Sequence, residues 1–209
     1  MDIFVRTAHP SDIAQLVALT GEFYAEVGAE KGGDIWLRRH QRPPPLERSL
    51  DATLDDPDTA VLLGMIDDVT LGFGVVRRSD DPTVAGHSTG DSTVRANDPP
   101  ESIAVIEELF VTVPARGVGV GRALLDAIVE WAADQGCSGV DAVALPGARE
   151  TKNFFEAAHF TARAIVVHHR LREAPATAAW EAAHRPLRTG AAPVTALGTS
   201  SAATERSSG

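Results

Sequence analysis

The chain has 209 residues, 44% of them hydrophobic, and a formal net charge of -10, which suits one ordinary core plus a tail rather than two full domains. No apolar run approaches the roughly 20 residues of a membrane span, and Met1 to Arg6 lacks the basic-then-apolar pattern of a secretory signal, so a cytoplasmic protein without a membrane partner is expected. The charge disfavours nucleic acid and favours cationic small molecules or basic protein segments, and the single cysteine, Cys137, excludes an internal disulfide and a cysteine-built zinc site.

Ile3-Phe4-Val5-Arg6 alternates as a short strand, and His9-Pro10-Ser11-Asp12 supplies a helix start in which Ser11 can accept the first-turn amides. Ile13, Leu16, Val17, Thr20, Phe23, Tyr24 and Val27 then recur at three-to-four spacing and predict one apolar helix face up to Gly28. After Gly32-Gly33 a second helical piece spans Asp34 to Gln41, Pro43-Pro44-Pro45 ends it, and Leu46 to Leu54 forms a third. Ala60 to Ile66 and Val69 to Val76 flank Asp67-Asp68 as two antiparallel strands about a tight turn. Ser79 to Pro100 is rich in Asp, Ser, Thr, Gly and Pro, which predicts a mobile surface loop.

Ser102 to Val113 reads as a strand. Beyond a glycine turn, Val120, Ala123, Leu124, Ala127, Ile128 and Trp131 share one helical face, Arg122, Asp126 and Glu130 share another, and Gly136 stops the helix. A strand at Val140 to Leu145, a short helix at Thr151 to Ala158 and a last strand at Phe160 to Leu171 complete a domain of residues 1–172. Residues 173–209 form an Ala/Pro/Ser/Thr-rich tail expected to lack fixed structure, and its three acids balance three arginines, so the net charge belongs to the domain.

The turn Arg116-Gly117-Val118-Gly119-Val120-Gly121-Arg122 carries the chemistry. A glycine-rich turn between strand and helix presents unpaired amides and a partial positive charge, which suits phosphate oxygens. Its spacing fails the Gly-x-Gly-x-x-Gly dinucleotide fingerprint, because Arg122 and Leu124 stand where a final glycine is needed. It also fails as a triphosphate loop, since neither lysine, Lys31 or Lys152, lies nearby. What remains, Arg116-x-x-Gly119-x-Gly121 after Leu109-Phe110-Val111, resembles the signature of the GNAT family of N-acetyltransferases, and the order of elements over roughly residues 2 to 171 is also that family's.

The resemblance implies an α/β (α+β) fold with a central mixed, mostly antiparallel sheet flanked by helices. It implies acetyl-coenzyme A as acyl donor, while the residues themselves give no expectation of a metal. Gly117, Val118, Gly119, Val120, Gly121 and Arg122, led by Arg116, would hold the pyrophosphate, and the strand Leu109, Phe110, Val111 to Val113 would pair with the pantetheine arm. A connecting turn without a ligand is the plainer alternative.

Acyl transfer to an amine needs a deprotonated nucleophile, so a carboxylate is expected beside the acceptor. Glu107 and Glu108 lie on the right strand, and strand alternation predicts that at most one faces the reacting centre. Glu107-Glu108-Leu109-Phe110-Val111 is similar to the acidic pair of the family's polyamine-acetylating branch, which implies Glu107 as base and Glu108 as a recognition or structural carboxylate. Each could equally be a solvated or ion-paired strand carboxylate. An oxyanion would be met by a backbone amide near Val111.

In Phe154-Phe155-Glu156-Ala157-Ala158-His159-Phe160, Phe155 stands where the family often carries a proton-donating tyrosine and His159 where it carries glycine. Tyr24, the only tyrosine, is either a substitute donor or a packing residue. His168 and His169 point to opposite sides of a strand and cannot chelate one ion alone. The leading expectation is therefore an N-acetyltransferase acting on a small cationic amine. The alternatives are a protein N-acetyltransferase and a non-catalytic acyl-coenzyme A binding module. The oligomeric state is open, a homodimer being allowed.

Overall fold

The computed structural model describes residues 2–80, 102–163 and 165–169. The chain divides into two units, Met1–Val166 and Val167–Gly209, and the elements below all belong to the first. Most of the predicted 79–100 loop and the 173–209 tail lie outside the described residues.

The elements run β1 (Ile3–Thr7), α1 (Ile13–Ala29), α2 (Gly33–His40), α3 (Leu46–Leu54), β2 (Thr59–Ile66), β3 (Val69–Ser79), β4 (Ile103–Val111), α4 (Val120–Asp134), β5 (Gly139–Ala142) and α5 (Arg149–Ala157). One five-stranded sheet has the order β1-β2-β3-β4-β5. Neighbours from β1 to β4 are antiparallel, and β5 joins β4 in parallel, with α4 between them in the chain. The mixed, mostly antiparallel sheet flanked by helices is thus present.

Period-two alternation splits the apolar side chains between two cores. Leu62, Val76 and Ile106 face α4, whose Val120, Leu124 and Ile128 are fully buried, while Leu63, Val75 and Phe110 face Leu16 of α1 and Leu50 of α3. Close approach of α4 depends on a missing side chain in β2. A Cβ on Gly64 would lie 2.7 Å from Val120 Cγ1 and 2.9 Å from Leu124 Cδ1.

Two expectations fail locally. Ser11 does not cap α1. Pro10–Asp12 forms a 3-10 turn instead, and Asp12 accepts the His9 amide at 2.8 Å while pairing with Arg6 at 2.7 and 2.8 Å. A two-oxygen acceptor with a cationic partner outcompetes a hydroxyl here. The predicted strand at Phe160 to Leu171 is absent from its described residues, where Ile165, Val166 and Val167 are 88%, 67% and 89% exposed. A consecutive apolar run needs cover on both faces, as Val61, Leu62 and Leu63 of β2 have from the two cores, and these three residues have it on neither.

Candidate acyl-donor and acceptor site

The glycine turn has the predicted local form. A 3-10 turn at Val113–Ala115 follows β4, Gly117 and Gly119 take φ values of 77° and 112°, and α4 begins at Val120. The first helical bond runs from the Ala123 amide to the Gly119 carbonyl at 3.0 Å, so the amides of Val120, Gly121 and Arg122 have no partner within the helix. The Val120 side chain is buried while Val118 is exposed. Arg122 Nε pairs with Asp126 of its own helix at 2.8 and 3.0 Å, so its side chain lies along α4 and its backbone amide joins the helix start.

β4 supplies an open edge that leads into this turn. β5 pairs only with Ile103 to Ile106 and ends at Ala142, short of the predicted Leu145, so beyond Ile106 β4 has no strand neighbour on that side among the described residues. The Thr112 amide bonds the Leu71 carbonyl at 2.8 Å, and the register fixes the phase of the ladder. Thr112, Phe110 and Glu108 therefore direct their peptide groups at β3, while those of Val111 and Leu109 point to the open side. Of the residues expected to meet a pantetheine arm, Leu109 thus offers its backbone groups and Val111 its amide, the Val111 carbonyl accepting from Arg116 Nε at 3.0 Å, and Phe110 offers none. The Val113 carbonyl is taken by the Arg116 amide at 3.2 Å.

A β-bulge changes how the two acids are displayed. Val75 stands opposite Glu108 and Val76 opposite Ile106, which leaves Glu107 as the extra residue of β4. A bulge re-aims side chains and breaks alternation. Glu108 points toward α1, where the Tyr24 hydroxyl donates to Oε1 at 3.0 Å and Arg42 Nε donates to both oxygens at 3.1 Å. Glu107 meets Arg77 of β3, whose Nε donates to Oε1 at 2.7 Å. Arg77 lies two residues after Val75 and so shares its face, which means both acids turn toward the α1–α3 side. Strand alternation, on which the expectation of a single acid facing the reacting centre rests, is thus broken at Glu107.

The two carboxylates differ in environment. Glu108 is 3% exposed, and burial pushes its pKa up against the opposing pull of Arg42 and Tyr24. Tyr24 also accepts the Arg42 amide at 2.9 Å. Burial, and then the charge of Glu108, drive the Tyr24 hydroxyl far up, so it stays protonated as a fixed donor within this network. Glu107 and Arg77 are 34% and 33% exposed, which keeps Glu107 in contact with solvent. Nearby, His40 stacks on Trp36 at 5.0 Å, and partial burial followed by Arg39 holds it below the ordinary imidazole range. Sequence alone does not single out Arg42, Arg77 and His40, because partners from other elements carry no local signal.

Phe155 is buried in the α4-side core, 5.4 Å from Phe154 and 5.2 Å from Phe160 between ring centres. Cys137 is half-buried with its pKa raised by burial. Among the described residues no group of three or more His, Cys, Asp or Glu could hold a metal ion, and no helix is long and apolar enough to cross a membrane.

Residues 26–160 match the model of the Acetyltransferase (GNAT) family. Comparison of the sequence with curated proteins finds no match. Solved structures of similar fold include the aminoglycoside acetyltransferase AAC(6')-Iy with a coenzyme A bisubstrate analogue, at 17% identity and TM-score 0.61, covering 82% of this chain and 99% of that one. A tetramutant of BH1408 from Bacillus halodurans is similar at 17% identity and TM-score 0.64, covering 80% and 99%. The aminoglycoside acetyltransferase meta-AAC0020 from an uncultured soil metagenomic sample, in complex with sisomicin, is similar at 16% identity and TM-score 0.57, covering 82% and 97%. With the family's signature turn, its strand order and a family-model match over most of the folded unit, the chain belongs to the GNAT family of acetyltransferases.

Proposed function

We propose that the protein transfers an acetyl group from acetyl-coenzyme A to a primary amine of a small cationic acceptor by direct attack in a ternary complex. The observation that carries this reading is the open edge of β4. Among the described residues its Leu109 and Val111 amides have no strand partner, the chain leads from there to the unpaired Val120, Gly121 and Arg122 amides, and Glu107 lies on the adjoining face. The edge suits an amide-bearing arm and the helix start suits a pyrophosphate. The domain-wide charge and the aminoglycoside complexes of the structural neighbours support a cationic small acceptor.

Glu107 is the base. Its Oε2 has no described side-chain donor, and its solvent contact lets it take the ammonium proton directly or through water. The amine lone pair then attacks the thioester carbonyl carbon, and the Val111 amide receives the developing oxyanion. Collapse breaks the carbon–sulfur bond and expels coenzyme A as thiolate, and the second nitrogen proton passes to that thiolate directly or through water, which leaves the amide and the free thiol. A thiol pKa near ~8.5 makes the thiolate a tolerable leaving group, so Phe155 in place of a tyrosine need not stop turnover. Glu108, locked by Arg42 and Tyr24, is a structural carboxylate that holds the chain between α2 and α3 against β4.

The buried Phe155 favours one second reading, a module that binds acyl-coenzyme A without turnover. Incubation with acetyl-coenzyme A and an amine panel, read as free thiol, separates the two. Release above the no-amine control, reduced by roughly 100-fold in Glu107→Gln, is the expected result. Tight coenzyme A binding with no release on any amine, a protein amino group included, supports the module instead.

A further inference from the structure

Three groups of the protein meet Arg116. Its Nε donates to the Val111 carbonyl at 3.0 Å, an Nη lies 2.6 Å from Glu26 Oε2 on α1, and its guanidinium carbon rests 5.7 Å from the centre of the Phe110 ring. On the donor reading of the turn, which this inference rests on, the same groups have a second use. The guanidinium opens the turn that receives the pyrophosphate, and the Val111 carbonyl lies on the edge that receives the pantetheine arm. One guanidinium fork cannot serve both sets of partners in full.

We propose that Glu26 is a positioning residue that holds Arg116 across the end of β4, so that coenzyme A binds by displacing this contact and Glu26 sets the donor affinity. The magnitudes allow the exchange. Arg116 and Glu26 are 37% and 42% exposed, and a pair in that range contributes little to stability. A pyrophosphate offers several anionic oxygens to the same fork and is the stronger partner. Because Glu26 lies on α1, two residues after Tyr24, the contact also ties the donor turn to the helix that carries part of the Glu108 network.

Calorimetric titration of coenzyme A into the full-length wild type, Glu26→Gln, Arg116→Gln and the double variant tests this. Glu26→Gln is expected to tighten binding about fivefold, the equivalent of an exposed ion pair. In the Arg116→Gln background the Glu26 change is expected to do nothing. Unchanged or weaker binding in Glu26→Gln overturns the inference and leaves the donor reading intact. A gain of the same size without Arg116 also overturns it, because that is the effect of removing any negative charge near an anionic ligand. No binding to the wild type removes the inference and the donor reading together. An unchanged melting midpoint shows that each variant is folded.

Discussion

His159 adopts φ 67° just past the end of α5. Its amide bonds the Glu156 carbonyl and the Phe160 amide reaches back to the Phe155 carbonyl, each at 3.0 Å, which is the hydrogen-bond pattern that glycine most readily completes. A side chain in that backbone region is disfavoured by about 1 kcal/mol or more. His159→Gly is therefore expected to stabilise the protein by about 1 kcal/mol, read as a raised urea midpoint at unchanged slope. Asp12 gives a pH test of the same kind. The hydrogen bond from Arg6 is the largest of the effects that hold its pKa at about 2. A depressed native pKa means that its contribution is present above the unfolded value near ~3.9 and is lost as pH falls toward about 2. Asp12→Asn should thus cost about 1 kcal/mol at neutral pH, and the deficit relative to wild type should vanish near pH 2 in denaturation curves. The sequence shows Asp12 two residues after Pro10 at a helix start. It does not show Arg6 as partner, because that contact forms only once β1 and α1 have packed.

At the scale of elements, periodicity was informative wherever an element buries one continuous face. The α4 positions Val120, Leu124 and Ile128 are fully buried as their spacing predicts, and α3 occupies the expected Leu46–Leu54. β4 differs because its alternation changes phase at Glu107, and the string Val105-Ile106-Glu107-Glu108-Leu109 contains no glycine or proline to mark that change. The register depends on β3, which lies more than twenty residues earlier in the chain. The end of β5 was equally hidden. Val143 is apolar and suits a strand, yet it is 53% exposed beyond the last paired residue. Sequence could therefore locate the two acids but not show that both face α1–α3, and it could locate the edge of β4 but not show where that edge opens.

Across the whole molecule, the sheet divides the candidate chemistry between an edge and a face. The donor reading uses the backbone of β4 where β5 has ended, whereas the acids and their arginines lie on the face covered by α1 to α3. Changes in Trp36, Arg39 or His40 should for that reason shift the KM for the amine more than the KM for acetyl-coenzyme A in steady-state kinetics. The turn itself is legible from sequence because its requirements are local: glycines at positive φ and a helix start within one short connection of a strand. The Arg42–Glu108–Tyr24 network is not, since it assembles residues from three separated segments.

The bulge has a further consequence. Ile106 and Glu108 already face Val76 and Val75, two consecutive residues of β3, so the ladder on either side of Glu107 is in register without it. Glu107 is in effect an insertion that the fold accommodates without using. Deleting it should close β4 into regular pairing, keep every neighbouring side chain on its present face and leave Arg77, already partly exposed, to solvent. The shortened protein is expected to melt within a few degrees of the wild type, since a lost exposed ion pair costs about 1 kcal/mol or less, while acetyl transfer falls as far as in Glu107→Gln. A collapse in melting temperature would instead show the bulge to be part of the architecture.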